Sequence, residues 1–141
     1  MAKRWLNEII VHCSASDKPA HDDISVIDRW HRERGWSEVG YHFFIRNNGQ
    51  VQKGRWISKQ GAHCSGHNTH SVGVCLSGDR KFQADQFASL NKLIHKLRLS
   101  YPSITLVSPH NKYTDKKTSP NFPVKQYNQI IIGDQLCVLE I

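Results

Sequence analysis

Two histidines lie far apart in the chain, each in a setting where an imidazole could do chemistry. His12 follows Ile9-Ile10-Val11 and precedes Cys13-Ser14-Ala15-Ser16, while His110 follows Pro109 and is trailed by Lys117-Thr118-Ser119-Pro120. Neutral imidazole is the commonest metal ligand among side chains and carries protons near neutral pH. A histidine close to the end of a buried strand needs partners for both ring nitrogens, because an unpaired polar group there is costly. One reading of His12 is a packed core histidine bonded to a backbone carbonyl. The other is a pair of imidazoles brought together at one site, and the His110 segment favours it. His63, Cys64, His67 and His70 crowd another stretch, but their spacing matches no familiar metal site and they read as loop and strand residues.

Positioning such a pair requires strands that end side by side. The apolar run at 9–11 predicts a buried strand leading into His12. Asp22 or Asp23 is placed to cap a helix carrying Ile24, Ile27, Trp30 and His31 on one face, with Gly35 closing it. Residues 41–46 and 51–54 flank Asn47-Asn48-Gly49, a hairpin signal. Residues 56–68 show no period and read as a long loop. Residues 71–76 predict another core strand. Phe87, Leu90, Ile94 and Leu97 repeat at helical spacing within 82–99, with Leu93 widening the stripe. Tyr101-Pro102 ends that helix, and 104–107 predicts a strand delivering His110. A polar loop follows over 111–121. Pro123 is placed to open a short helix through Gln129 that Gly133 ends, and 136–139 is read as a strand or a segment draped over the core. Strands interleaved with helices around a hairpin predict an α/β fold: a single domain, residues 1–141, with a central mixed sheet flanked by helices. Sites in such sheets collect at strand ends, where His12, Tyr41 and His110 all fall.

At 141 residues the chain is long enough for one sizeable core. No apolar run approaches the roughly 20 residues of a membrane span. Met1-Ala2-Lys3-Arg4-Trp5 is basic but leads into no segment of signal-peptide length. The expectation is therefore a cytoplasmic protein with no membrane partner, which would need a separate route or cell lysis to reach a wall. Cys13, Cys64, Cys75 and Cys137 are widely spaced and read as buried free thiols. A net charge of +7 favours an anionic partner. The basic residues are scattered, however, and no nucleic-acid fingerprint accompanies them, so no specific nucleic acid is expected.

Taken in order, several motifs carry a resemblance: His12-Cys13-Ser14-Ala15; Gly35-Trp36 with Val39-Gly40-Tyr41-His42-Phe43; Gly61-Ala62-His63; His70-Ser71-Val72-Gly73-Val74-Cys75-Leu76; and His110 with Lys117-Thr118-Ser119-Pro120. Together they resemble the type 2 N-acetylmuramoyl-L-alanine amidases, a group that includes phage lysozyme-type amidases and is related to the peptidoglycan recognition proteins. The likeness spans residues 8 to 127. It implies an amidase or peptidoglycan recognition protein-like fold and a phage-type endolysin acting on bacterial peptidoglycan and its muropeptides. The bond cut would be the amide between N-acetylmuramic acid and L-alanine.

The resemblance also implies a zinc ion held by His12 and His110, with the family's third ligand, a Cys or Asp just before a proline, falling on Ser119. Catalytic zinc takes three protein ligands and leaves one position open. It makes water nucleophilic at neutral pH and polarises the carbonyl. On the same resemblance Lys117 would stabilise the oxyanion, the Tyr41 hydroxyl would orient the water or donate to that oxygen, and His63 would line the substrate groove. Ser119 departs from the pattern, since an alcohol is a poor zinc ligand near neutral pH. Zinc is thus expected to be weakly held or absent. Asp115 could supply the missing anion from the same loop, Ser119 could bind weakly with extra water, or the fold could serve only for binding. Cys13 is poorly placed to help, because adjacent strand residues face opposite sides. The alternatives are a catalytically impaired peptidoglycan-binding module, or a regulatory protein of the same fold. Some phage amidases of this family inhibit an RNA polymerase, and the charge permits such a host protein partner.

Overall fold

Period-two alternation along the strands decides which side of the sheet is structural and which is chemical. The computed structural model describes residues 4–132 and 135–138, with side chains described from residue 4 to residue 128. β1 (Glu8–Cys13), β2 (Phe43–Ile45), β3 (Val51–Lys53), β4 (Ser71–Leu76) and β5 (Leu106–Pro109) form one sheet in the order β3-β2-β4-β1-β5. β1 runs parallel to both β4 and β5, and β2 runs parallel to β4. β3 is antiparallel to β2 and makes the sheet mixed, as expected.

The register pairs Ile9 with Val72 and Val11 with Val74, and these residues pack under α2 (Ala84–Ser100) against Leu90, Leu93, Ile94 and Leu97. Each such aliphatic side chain taken out of water contributes roughly 1.5–3 kcal/mol. The intervening residues face the other way. Glu8, Ile10 and His12 of β1 lie opposite Ser71, Gly73 and Cys75 of β4. Here α1 (Ile24–Glu33) covers only part of the sheet, through Ile27 against Phe44 and Cys75, and leaves the rest for a cleft.

Local chemistry sets the boundaries. The Asp23 carboxylate accepts the Ser25 N–H at 2.9 Å and caps α1. Gln83 and Gln86 form a reciprocal capping box at the start of α2. Gly49, at φ +90°, takes the hairpin turn and donates its N–H to the Arg46 carbonyl.

Two expectations are corrected. The strand expected over 104–107 runs Leu106–Pro109, because the Ile104 N–H turns back to the Tyr101 carbonyl at 3.0 Å. The helix expected from Pro123 is only a 3₁₀ turn, Lys125–Tyr127. Asn128 interrupts it by pairing with both backbone groups of Val107, its Oδ1 accepting at 2.7 Å and its Nδ2 donating at 2.9 Å. The β-branched run that follows favours a strand: β6 (Gln129–Ile132) pairs antiparallel with β7 (Gln135–Val138) as a separate two-stranded sheet. Gly133 and Leu139 lie outside the described residues. Cys13, Cys64 and Cys75 are buried free thiols, while the Cys137 side chain lies outside the described set. Among the described residues no helix is long and apolar enough to cross a membrane.

Candidate metal centre and catalytic cleft

β1 and β5 end side by side, and their last residues deliver His12 and the turn that begins at His110. The two rings stand 4.4 Å apart between centroids, tilted by 50°. Tyr41 arrives from the connector after α1, its ring 4.9 Å from His12. Two contacts fix that connector: Asp28 accepts the Val39 N–H, and His31 Nδ1 accepts the Gly40 N–H, each at 2.8 Å. Tyr41, His63, His110, Lys117 and Ser119 line one cleft of about 570 Å³, whose outer wall includes Trp30 and Trp36. The residues singled out in the sequence therefore meet in space.

The electrostatics suit a site that holds a cation. Burial pushes His12 well below the ordinary histidine range, and the neighbouring His63, His110 and His31 add to it. His110 is lowered by burial and then by the Lys117 ammonium. Burial raises the Tyr41 phenol well above its usual range, with Cys75 and Cys13 adding to it. At neutral pH the cleft thus presents bare imidazole lone pairs and an un-ionised phenol O–H.

The residues present fit a divalent ion at one point in particular. His12 Nδ1 is fully buried with no hydrogen-bond partner, which is the state of a nitrogen reserved for a ligand. The rest of the donor set is thin. Among the described residues no group of three His, Cys, Asp or Glu side chains could hold a metal. Asp115 is exposed and does not line the cleft, so it supplies no anion here. Ser119 is in the cleft, but its Oγ already accepts the Cys13 N–H at 3.0 Å. A hydroxyl keeps a second lone pair, so the available set is two imidazoles and one neutral oxygen. The Cys13 thiol accepts from the Asn121 amide at 3.7 Å, and Cys13 also lines the cleft.

His63 lines the cleft, as expected of a groove residue, and it is also held from inside the protein. Its ring is buried, burial holds it at about 3, and both its nitrogens are engaged inside the protein. Nδ1 lies 2.9 Å from His12 Nε2, and Nε2 lies 3.3 Å from Ser71 Oγ. Two glycines make its seat. A Cβ on Gly73 would stand 2.5 Å from the His63 ring, and one on Gly61 would stand 2.6 Å from it.

Further contributors went unnoticed in the sequence. Buried Glu8 accepts hydrogen bonds from Ser108 Oγ and from the Tyr113 hydroxyl, both at 2.5 Å. Tyr113 also stacks on His67, with centroids 3.8 Å apart and planes 24° apart. Burial and the Glu8 carboxylate push its phenol up to about 12. The segment that begins at His110 is therefore tied to the start of β1 and to the His67 loop. The available signal was alternation: Glu8, Ile10 and His12 share one face, as do Ser71, Gly73 and Cys75.

Bare imidazoles, a neutral phenol and an ammonium around one cleft, carried on the polar face of a mixed α/β sheet, are the equipment of a hydrolase. Residues 3–122 match the N-acetylmuramoyl-L-alanine amidase family, and the chain belongs to it. It is an amidase of the peptidoglycan-hydrolysing class. The endolysin of Enterobacteria phage K11 is 36% identical over 129 residues, which cover 86% of this chain and 84% of that protein. The endolysin of Escherichia phage T7 is 35% identical over 138 residues, 90% of each chain. The solved N-acetylmuramoyl-L-alanine amidase LysC from Clostridium intestinale superposes with a TM-score of 0.79 at 29% identity, covering 88% of this chain and 83% of that one.

Proposed function

We propose that this amidase cuts the bond between the lactyl group of N-acetylmuramic acid and L-alanine with the help of a zinc ion held by His12 Nδ1 and His110, Ser119 serving as a weak third partner. The observation that carries the reading is the buried, unpartnered His12 Nδ1 beside the His110 ring. Zinc bound there would supply a nucleophilic water at neutral pH and polarise the scissile carbonyl. The chain's own residues do the remainder. The Lys117 ammonium, on the cleft wall, is placed to stabilise the negative charge that develops on the carbonyl oxygen. The Tyr41 phenol, kept protonated by burial, would orient the water or donate to the same oxygen. Trp30 and Trp36 offer apolar faces on which a sugar ring or peptide stem can rest.

Ser119 supports a second reading. A neutral oxygen already bonded to the Cys13 N–H leaves the charge of a dication uncompensated, so a muropeptide-binding module with slow or no turnover fits the same cleft. We place either activity at the bacterial wall, reached from the cytoplasm by export or lysis. Metal analysis of the purified chain, paired with release of L-alanine-terminated peptides from cell walls, tests the first reading. Zinc near one equivalent with release supports it. No release even in added zinc, with muropeptide still bound, transfers the conclusion to the second.

A further inference from the structure

The hydrogen bonds around His63 fix which of its ring nitrogens carries the proton. The Ser71 hydroxyl stands 2.6 Å from the His67 carbonyl oxygen. Two oxygens that close require a proton between them, and only the hydroxyl has one, so Ser71 donates to His67. A hydroxyl carries a single proton, and Ser71 Oγ therefore faces His63 Nε2 as an acceptor, at 3.3 Å. Nε2 of His63 is the protonated nitrogen. The ring is neutral in its buried seat, so Nδ1 is a bare lone pair, and it faces His12 Nε2 at 2.9 Å. Nε2 of His12 must then be the donor. That leaves the proton off His12 Nδ1, the buried atom without a partner.

We infer that His63 and Ser71 are positioning residues which, anchored on the His67 carbonyl, lock His12 in the tautomer that leaves Nδ1 free as a ligand. The device rests on the zinc reading only for its purpose; the tautomer exists with or without metal. Metal-bound histidines commonly direct their second nitrogen at a carboxylate, a carbonyl or water. Here the partner is a second imidazole, and its own proton is fixed by a serine. The strand register makes this possible. Ser71 and Gly73 sit on the face of β4 that looks the same way as His12 on β1, and the missing Gly73 side chain lets the His63 ring lie between them.

The test uses the full chain, ¹⁵N-labelled at histidine, stripped of metal with a chelator and held at pH 7. Long-range ¹H–¹⁵N spectra report which ring nitrogen of each histidine carries the proton. The expected result is Nε2–H for both His12 and His63. Ser71→Ala removes the acceptor of His63, and the His12 signal should move to a mixture of tautomers while the melting curve stays cooperative. Zinc affinity, measured by chelator competition, should fall about 10-fold or more in that variant. Nδ1–H on His12 in the wild-type protein overturns the inference, and that spectrum requires no variant to fold. Unchanged tautomers in a folded Ser71→Ala protein overturn the part assigned to Ser71. Tautomers as stated in a wild-type chain that takes up no zinc uphold the positioning device and sink the zinc reading instead.

Discussion

Gly73→Ala tests whether the seat of His63 matters as much as its contacts imply. The added methyl would stand 2.5 Å from Cγ and Cδ2 of the ring, well inside van der Waals contact. Both ring nitrogens are engaged by neighbours, so the ring cannot clear the methyl without breaking those contacts. It must leave, losing the bonds to His12 and Ser71 at 2.9 and 3.3 Å. Each lost bond costs about 1 kcal/mol, and forcing a methyl into a filled interior costs about 1–3 kcal/mol. The expected destabilisation is about 3–5 kcal/mol, which for a chain of this size lowers Tm by about 10–15 °C. Thermal unfolding with chelator present measures it, and zinc affinity should drop about 10- to 100-fold in parallel. Gly66→Ala is the control. Nothing lies within 4 Å of its added methyl and only the φ of +82° resists, so about 1 kcal/mol is expected. A Gly73→Ala protein that melts within a few degrees of wild type and keeps its zinc affinity would refute the account of the seat.

Ser119→Cys should raise zinc affinity at least about 100-fold by supplying an anionic ligand, yet cost about 1 kcal/mol without metal because the Cys13 N–H loses a good acceptor; stability that rises in zinc and falls in chelator is the expected pair. Tyr113→Phe keeps the stack on His67 but deletes the bond to Glu8, and should destabilise by about 1.5–3 kcal/mol in urea unfolding. Stability should also fall as pH drops from 6.5 to 4, because burial holds His42 at about 4 against an ordinary 6.5. The unfolded chain then binds protons first, so the contribution of His42, present above pH 6.5, is lost on the way to its folded value. The loss from this residue is about 3 kcal/mol. His42→Gln, which can still accept from Gly73 and donate to the Lys59 carbonyl, should flatten that slope.

The sheet, the capped helices and the hairpin were legible because each rests on a local rule: apolar period, cap residue, Asn-Gly turn. The convergence of His12, Tyr41, His110 and Lys117 was legible through the motif order and the habit of sites to collect at strand ends. The groove position of His63 was legible, but its anchoring beneath the cleft wall was not, for a physical reason. Nothing in Gly61-Ala62-His63 shows that the ring will be swallowed, since its seat is made by an absence of atoms at Gly73 on another element. Glu8 and Tyr113 escaped notice because their contact joins residues 105 positions apart. The helix expected after Pro123 failed because Asn128 bonds to Val107, again a partner invisible to any local window.

The two-sided character of β1 has a consequence for errors in assembly. A slip of a single residue against β4 would swing Ile9 and Val11 into the wet cleft and drive Glu8 and His12 beneath α2. One mistake would strand a carboxylate in oil and empty the ligand seat together. A misregistered chain therefore forfeits durability and chemistry in the same step, and the cell's proteases would meet few copies that are sturdy yet inert.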